Sequence, residues 1–287
     1  MVSGRTDIVG FYTKWFMNRV KDGYFLVRNP FRYHEVSRIN YSDVDLIMFC
    51  TKNPLPIIPY LKDLKKPILF HVTLTSYKKD IEPNVIDKKE IIKGVKKISE
   101  IIGIDNIYVR YDPIFLSDKY DINYHLKAFE KLCKELNGYV KHIVISFMDL
   151  YKNVYKNNNI LRVKGFKESD YKVLCTGLSE IASKYNMIIQ SCFEDDYSEY
   201  GIKYLPCLSS SFAYKLTGKK YRSWNARKCG CVSMADIGEY NTCKHLCKYC
   251  YANFSEDKIK DNISKHDDTS PFLIGNIESE DVIKVRK

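Results

Sequence analysis

Between residues 1 and 195, short runs rich in β-branched and aromatic residues alternate with longer amphipathic polar segments, and this alternation constrains the fold more than any other feature. Strands are expected at 1–6, 44–51, 67–75, 106–111, 142–147 and 187–192, with helices at 10–21, 56–64, 88–102, 123–136 and 169–184 between them. The stretches 23–27 and 151–164 read as insertions. Strands in such an alternation are usually parallel and covered on both faces, so a run like ILFHVTL can be apolar throughout. No GxGxxG or GxxxxGK[ST] segment occurs, which removes the main support for dinucleotide and P-loop folds. The expected architecture is therefore an α/β fold of the (β/α)6 type, a partial TIM barrel. Its barrel would occupy residues 1–200, with a cysteine-rich segment and tail at 201–287 packed on the barrel mouth.

In such folds, catalytic groups gather where loops leave the carboxyl ends of the strands. The sequence places Asp7 after the first expected strand, Lys52 and Asn53 after the second, and Thr75 after the third. Arg110 and Asp112 follow at the fourth, Ser146 and Asp149 at the fifth, and Cys192 and Glu194 at the sixth. His71, inside an apolar run, reads as a satisfied core histidine. No HExxH, HxH or GxSxG pattern is present, so hydrolytic metal and triad chemistry has no motif to stand on.

Nothing in the 287 residues approaches the roughly 20 apolar residues of a membrane helix, and MVSGRTDIVG lacks the pattern of an export signal. A cytoplasmic, reducing compartment is expected. Ten cysteines then point to metal or redox chemistry rather than disulfides, and six of them lie between Cys207 and Cys250. Cys50, Cys133 and Cys175 fall on apolar faces and read as packing residues. The formal charge of +11 is weak guidance in a chain rich in Lys, Asn, Ile and Tyr. One run is more specific: Lys215, Lys219, Lys220, Arg222, Arg227 and Lys228 interleave with Tyr214, Tyr221 and Trp224, a pattern suited either to phosphates and bases or to a solvated loop.

The sharpest motif is CKHLCKYCYA, which sets Cys243, Cys247 and Cys250 in CxxxCxxC spacing. Three thiolates on one loop can hold three corners of an iron-sulfur cube and leave the fourth iron without a protein ligand. A structural zinc site instead requires four ligands. With Tyr249 directly before the last cysteine, the loop resembles that of the radical S-adenosylmethionine enzymes. Through RTDI, YFLVRNPF, FCTKNP, RYDPI, SFMDLY and the segment 229–253, the chain also resembles an uncharacterised microbial family, a domain-of-unknown-function group whose C-terminal cysteines echo that loop.

The resemblance implies a 4Fe-4S cluster on Cys243, Cys247 and Cys250, reductive cleavage of S-adenosylmethionine, and a flavodoxin- or ferredoxin-like electron donor. Tyr249, Arg110, Lys52, Asn53, Thr75 and Ser146 become candidates for cofactor contacts, with Arg110 for the carboxylate. Asp7, Asp112, Asp149 and Glu194 become candidates for substrate contacts. Two departures stand out. The loop follows the sixth strand instead of the first, and FCTKNP replaces the GGE-like segment of the second. Cys192, Cys207, Cys229 and Cys231 supply enough thiolates for a second Fe-S cluster or a zinc ion, or else pack as inert buried thiols. Two other readings stay open: a metal-dependent nuclease or repair barrel using the four carboxylates, with zinc or a cluster as a staple, and a non-catalytic nucleic-acid-binding module.

Overall fold

The computed structural model describes residues 1–192, 194–224 and 229–286; Arg227 and Lys228 of the basic run lie outside them. Six strands form one parallel sheet: β3 (Ile47–Thr51), β4 (Ile68–Thr73), β5 (Ile107–Ile114), β6 (His142–Phe147), β7 (Ile188–Ser191) and β8 (Lys203–Tyr204). Each strand pairs with the next in the chain, so the order never reverses and no doubly wound switch point arises. A smaller sheet joins the hairpin β1 (Tyr24–Asn29) and β2 (Arg32–Asn40) to β9 (Val282–Val285), in the order β1-β2-β9.

Alternation along the strands assigns the two faces of the large sheet. Ile47, Phe49, Phe70, Val72, Val109, Ile143, Ile145 and Ile189 pack in the main core, where Ile91, Val95, Ile98, Phe129, Leu132, Leu174 and Leu178 meet them from the helices Lys88–Ile102, Ile122–Leu136 and Glu168–Lys184. Two of these helices begin on aspartates: Asp87 accepts from Lys89 N and Asp121 from Tyr124 N, each satisfying a first-turn donor. The alternate positions Met48, Leu69, Tyr108 and Val144 form a second cluster with Leu208, Ala213 and Val232. That face is thus covered by the chain's own segment around the helix Ser210–Thr217. In register on it lie Cys50, His71, Tyr108 and His142.

Several expectations need correction. Residues 1–6 do not form a strand; only Val2 bridges, to Met48 and to Asp236, before the chain turns into the short helix Ile8–Phe11 capped by Asp7. The helix expected at 56–64 is a 3-10 helix, Leu55–Tyr60, because Pro56 and Pro59 lack the amide donors an α-helix needs. The insertion at 23–27 is the start of the β1–β2 hairpin, and 151–164 folds as the short helices Lys152–Tyr155 and Asn158–Leu161. The two-residue β8 had no periodic signal. In the tail, Glu256–Ser264 is helical, and PFLIG docks: Trp15 Nε1 donates to the carbonyls of Ser270 and Phe272, and Phe272 packs with Leu26 and Val36. No described helix is long and apolar enough to cross a membrane.

Candidate metal centre

The CxxxCxxC loop folds without regular secondary structure, so its backbone groups must find partners elsewhere. Thr242 O accepts from Tyr12 Oη at 2.6 Å, Lys244 O from Asn84 Nδ2 at 2.8 Å, and Lys248 O from Asn157 Nδ2 at 2.7 Å. Lys248 N donates to Ile81 O at 3.0 Å, and Asn253 Nδ2 closes the loop on Cys243 O at 2.9 Å. Leu246 adopts φ 56°, a left-handed conformation that a bulky side chain rarely takes outside over-determined functional turns. Burial pushes all three thiols up, Cys247 to about 12, so metal binding would have to displace their protons.

Around the loop stand groups from the carboxyl ends of the first strands. Glu82, buried, accepts from Lys52 Nζ at 2.7 Å, from Thr75 Oγ1 at 2.6 Å, and from Lys88 and Tyr249. Burial alone would raise its pKa, but Lys52 and Lys88 outweigh that and hold it well below the carboxylate range. Burial and the Glu82 carboxylate raise Tyr249, which keeps its phenol proton. Lys52 Nζ lies 5.4 Å from the Tyr249 ring centre. Two ammonium groups against one carboxylate leave a net positive charge beside Cys247, favourable for thiolates or an anionic ligand. On the other side, Asp7 accepts from Lys52 N and His245 Nε2, both at 2.8 Å. Burial pushes Asp7 up, yet the His245, Thr51 and Lys52 contacts outweigh it and lower its pKa.

The structure thus brings Lys52, Thr75, Tyr249 and Asp7 to the loop. Asn53 is used locally: its N–H donates to Thr51 Oγ1 and its side chain accepts from Leu55 N. Glu82 and His245 escaped sequence reasoning. His245 carried a usable signal, its place inside CKHLC, whereas nothing in SYKKDIEPN marks Glu82 as buried.

Arg110, Asp112 and Ser146 form a second group of contacts. Arg110 Nε donates to Asp112 at 2.7 Å, Ser146 donates to the other oxygen, and Arg110 Nη1 lies 3.2 Å from Cys207 Sγ. Glu194 is raised to about 8 by burial and by repulsion from Asp112 and Asp149; Asp149 is exposed and accepts from Tyr151 Oη. Beside them, the sulfurs of Cys192, Cys207 and Cys231 all lie within 4.8 Å of one another. Hydrogen bonds from the other two thiols, together with Arg110, lower the Cys207 pKa, while the contacts with Cys207 and Cys231 raise Cys192. Cys229 is buried but is not part of this group. His71 is not satisfied: it is fully buried against the Cys207 backbone, yet neither ring nitrogen reaches hydrogen-bond geometry, and burial lowers its pKa to about 4.

Cys50, Cys133 and Cys175 are free thiols whose pKa values burial raises to about 12. In the basic run, Lys219 pairs with Asp45 at 2.6 Å and Lys215 with Asp105 at 3.9 Å, so part of its charge is neutralised by acids just before β3 and β5.

A family model described as "Domain of unknown function (DUF1848)" matches residues 1–252. The chain belongs to the DUF1848 family. The match runs through the sheet, its covering segment and the CxxxCxxC loop, so in this DUF1848 member both cysteine groups lie within the family region. None of the curated proteins matches the chain.

Proposed function

We propose that this DUF1848 protein is a radical S-adenosylmethionine enzyme on a (β/α)6-type partial barrel, with Cys243, Cys247 and Cys250 holding a 4Fe-4S cluster. The observation that carries this reading is the convergence of the CxxxCxxC loop, Tyr249 included, on the carboxyl ends of β3 and β4 through Lys52, Thr75 and Glu82. The donor set fits the group. All three residues are cysteines, as iron-sulfur ligation requires, and they are not among the described ligand sets whose atoms crowd within 4.8 Å, in keeping with thiolates that bind separate irons.

When bound, such a cluster supplies an electron to S-adenosylmethionine and so yields a 5′-deoxyadenosyl radical that abstracts hydrogen. The chain's own part is to bind, orient and shield. Lys52 and Lys88 set a positive field beside Cys247, and Lys52 can reach a cofactor carboxylate if it loosens from Glu82. Glu82 offers its carboxylate to an amine. Tyr249 and Tyr77, with ring centres 5.7 Å apart, form an apolar wall that excludes water. Asp7 holds His245 and the Lys52 backbone, fixing the loop against the β3 end.

Anaerobic reconstitution with iron and sulfide, followed by strong reductant and S-adenosylmethionine, should release 5′-deoxyadenosine and methionine. A fully reduced four-iron cluster that leaves S-adenosylmethionine intact would overturn the proposal.

A further inference from the structure

The second cysteine group admits a sharper assignment than its composition alone allows. Cys192 follows β7, while Cys207 and Cys231 belong to the segment that covers the sheet, so three separate stretches of chain deliver sulfur to one point. Three thiolates bound to a single tetrahedral ion at about 2.3 Å stand about 3.8 Å from each other. Cys192 Sγ and Cys231 Sγ are 3.6 Å apart, and all three sulfurs lie within 4.8 Å of one another. An iron-sulfur cube spreads its ligands over different irons and needs a wider set.

A second observation concerns the fourth corner. His71 projects from β4 on the same face and is wholly buried beside the Cys207 backbone; neither ring nitrogen meets hydrogen-bond geometry, and neither lies in the set of atoms within 4.8 Å of the three sulfurs, so its ring stands next to the group without a settled partner. Charge also balances. Three thiolates and a dication leave one negative charge, a neutral imidazole adds none, and Arg110 Nη1 already lies 3.2 Å from Cys207 Sγ to offset it.

The geometry points to a mononuclear zinc site formed by Cys192, Cys207 and Cys231; His71, which stands outside the set of atoms within 4.8 Å, becomes the fourth ligand by closing on the bound ion. It fastens the covering segment to the sheet and is separate from the centre at Cys243, Cys247 and Cys250. The four protein ligands make it a closed, structural site without an open position for substrate.

The test uses the full chain, purified without oxygen, beside a variant in which Cys243, Cys247 and Cys250 are all alanine. Both should hold about one zinc per chain. X-ray absorption at the zinc edge should resolve three sulfurs and one nitrogen. Cys231→Ser and His71→Ala should each cut zinc retention against a chelator at least tenfold while the iron signal of the wild-type loop persists. Iron with sulfide in the triple-alanine variant would overturn the assignment in favour of a second cluster, and so would an absence of tightly held zinc in the wild-type chain. Four sulfurs at zinc would overturn the role of His71. Because metal content is read independently of S-adenosylmethionine cleavage, failure here is distinct from failure of the proposed activity.

Discussion

The two cysteine groups differ in how the chain assembles them. Cys243, Cys247 and Cys250 come from eight consecutive residues, whereas Cys192, Cys207 and Cys231 are collected from a span of 40. The compact motif spreads its sulfurs and surrounds them with Lys52, Glu82, Lys88 and Tyr249, a polar wall able to meet a ligand. The dispersed group draws its sulfurs to within 4.8 Å of one another, a spacing suited to a single ion. On the proposed reading, the local group serves chemistry and the dispersed group fastens the covering segment.

The largest effect expected to separate the two is Cys247→Ala. It should abolish iron binding and 5′-deoxyadenosine formation, measured by iron analysis and chromatography, and leave zinc content unchanged. Loss of both metals would erase the distinction. Next comes Glu82→Gln, which leaves the half-buried Lys52 and Lys88 without their shared carboxylate; removing one partner of a fully buried ion pair costs about 3–5 kcal/mol, and partial exposure of the lysines brings the expected loss to about 2–3 kcal/mol, readable by urea unfolding. An effect under about 1 kcal/mol would mean that the cluster of charges is wetter than its burial indicates.

Arg110→Ala sharpens the contrast further. If Arg110 serves Cys207, zinc affinity should fall about 10–100-fold, the usual effect of losing a group that supports a metal ligand, and the KM for S-adenosylmethionine should stay constant. If Arg110 instead binds the cofactor carboxylate, KM rises and zinc affinity holds.

The smallest effect comes from a histidine that belongs to neither group. Burial lowers the pKa of His125, which contacts Tyr111 Oη at 2.9 Å and Phe115 O at 3.0 Å, to about 4. Between the ordinary histidine value and that figure, the unfolded chain binds a proton that the folded chain refuses, so stability falls as pH drops. The expected loss is about 2 kcal/mol from pH 7 to pH 5. His125→Gln should flatten this slope with both metals still bound; an unchanged slope would trace acid sensitivity to the metal centres instead.

Most of the sheet was legible because β-branched runs and capped amphipathic segments carry their own periodicity, and the helix Lys88–Ile102 appears at its expected limits. Period two cannot say what covers a face, so the burial of Met48, Leu69, Tyr108 and Val144 under Leu208, Ala213 and Val232 was hidden. Spacing revealed the local motif and, for the same reason, concealed the dispersed one: Cys229 is a sequence neighbour of Cys231 but stands outside its group, while His71 sits inside an apolar run and beside a thiol. Glu82 was illegible because its importance arises from partners at Lys52, Thr75 and Tyr249, up to 167 positions away.

The contact between His245 and Asp7 joins positions 238 residues apart. During synthesis, the platform that receives the cysteine loop can therefore be complete before those thiols leave the ribosome. On the proposed reading, metal loading then follows formation of the sheet, and the sulfurs emerge onto a surface already in place rather than into an unstructured chain where they could be oxidised or captured by the wrong ion.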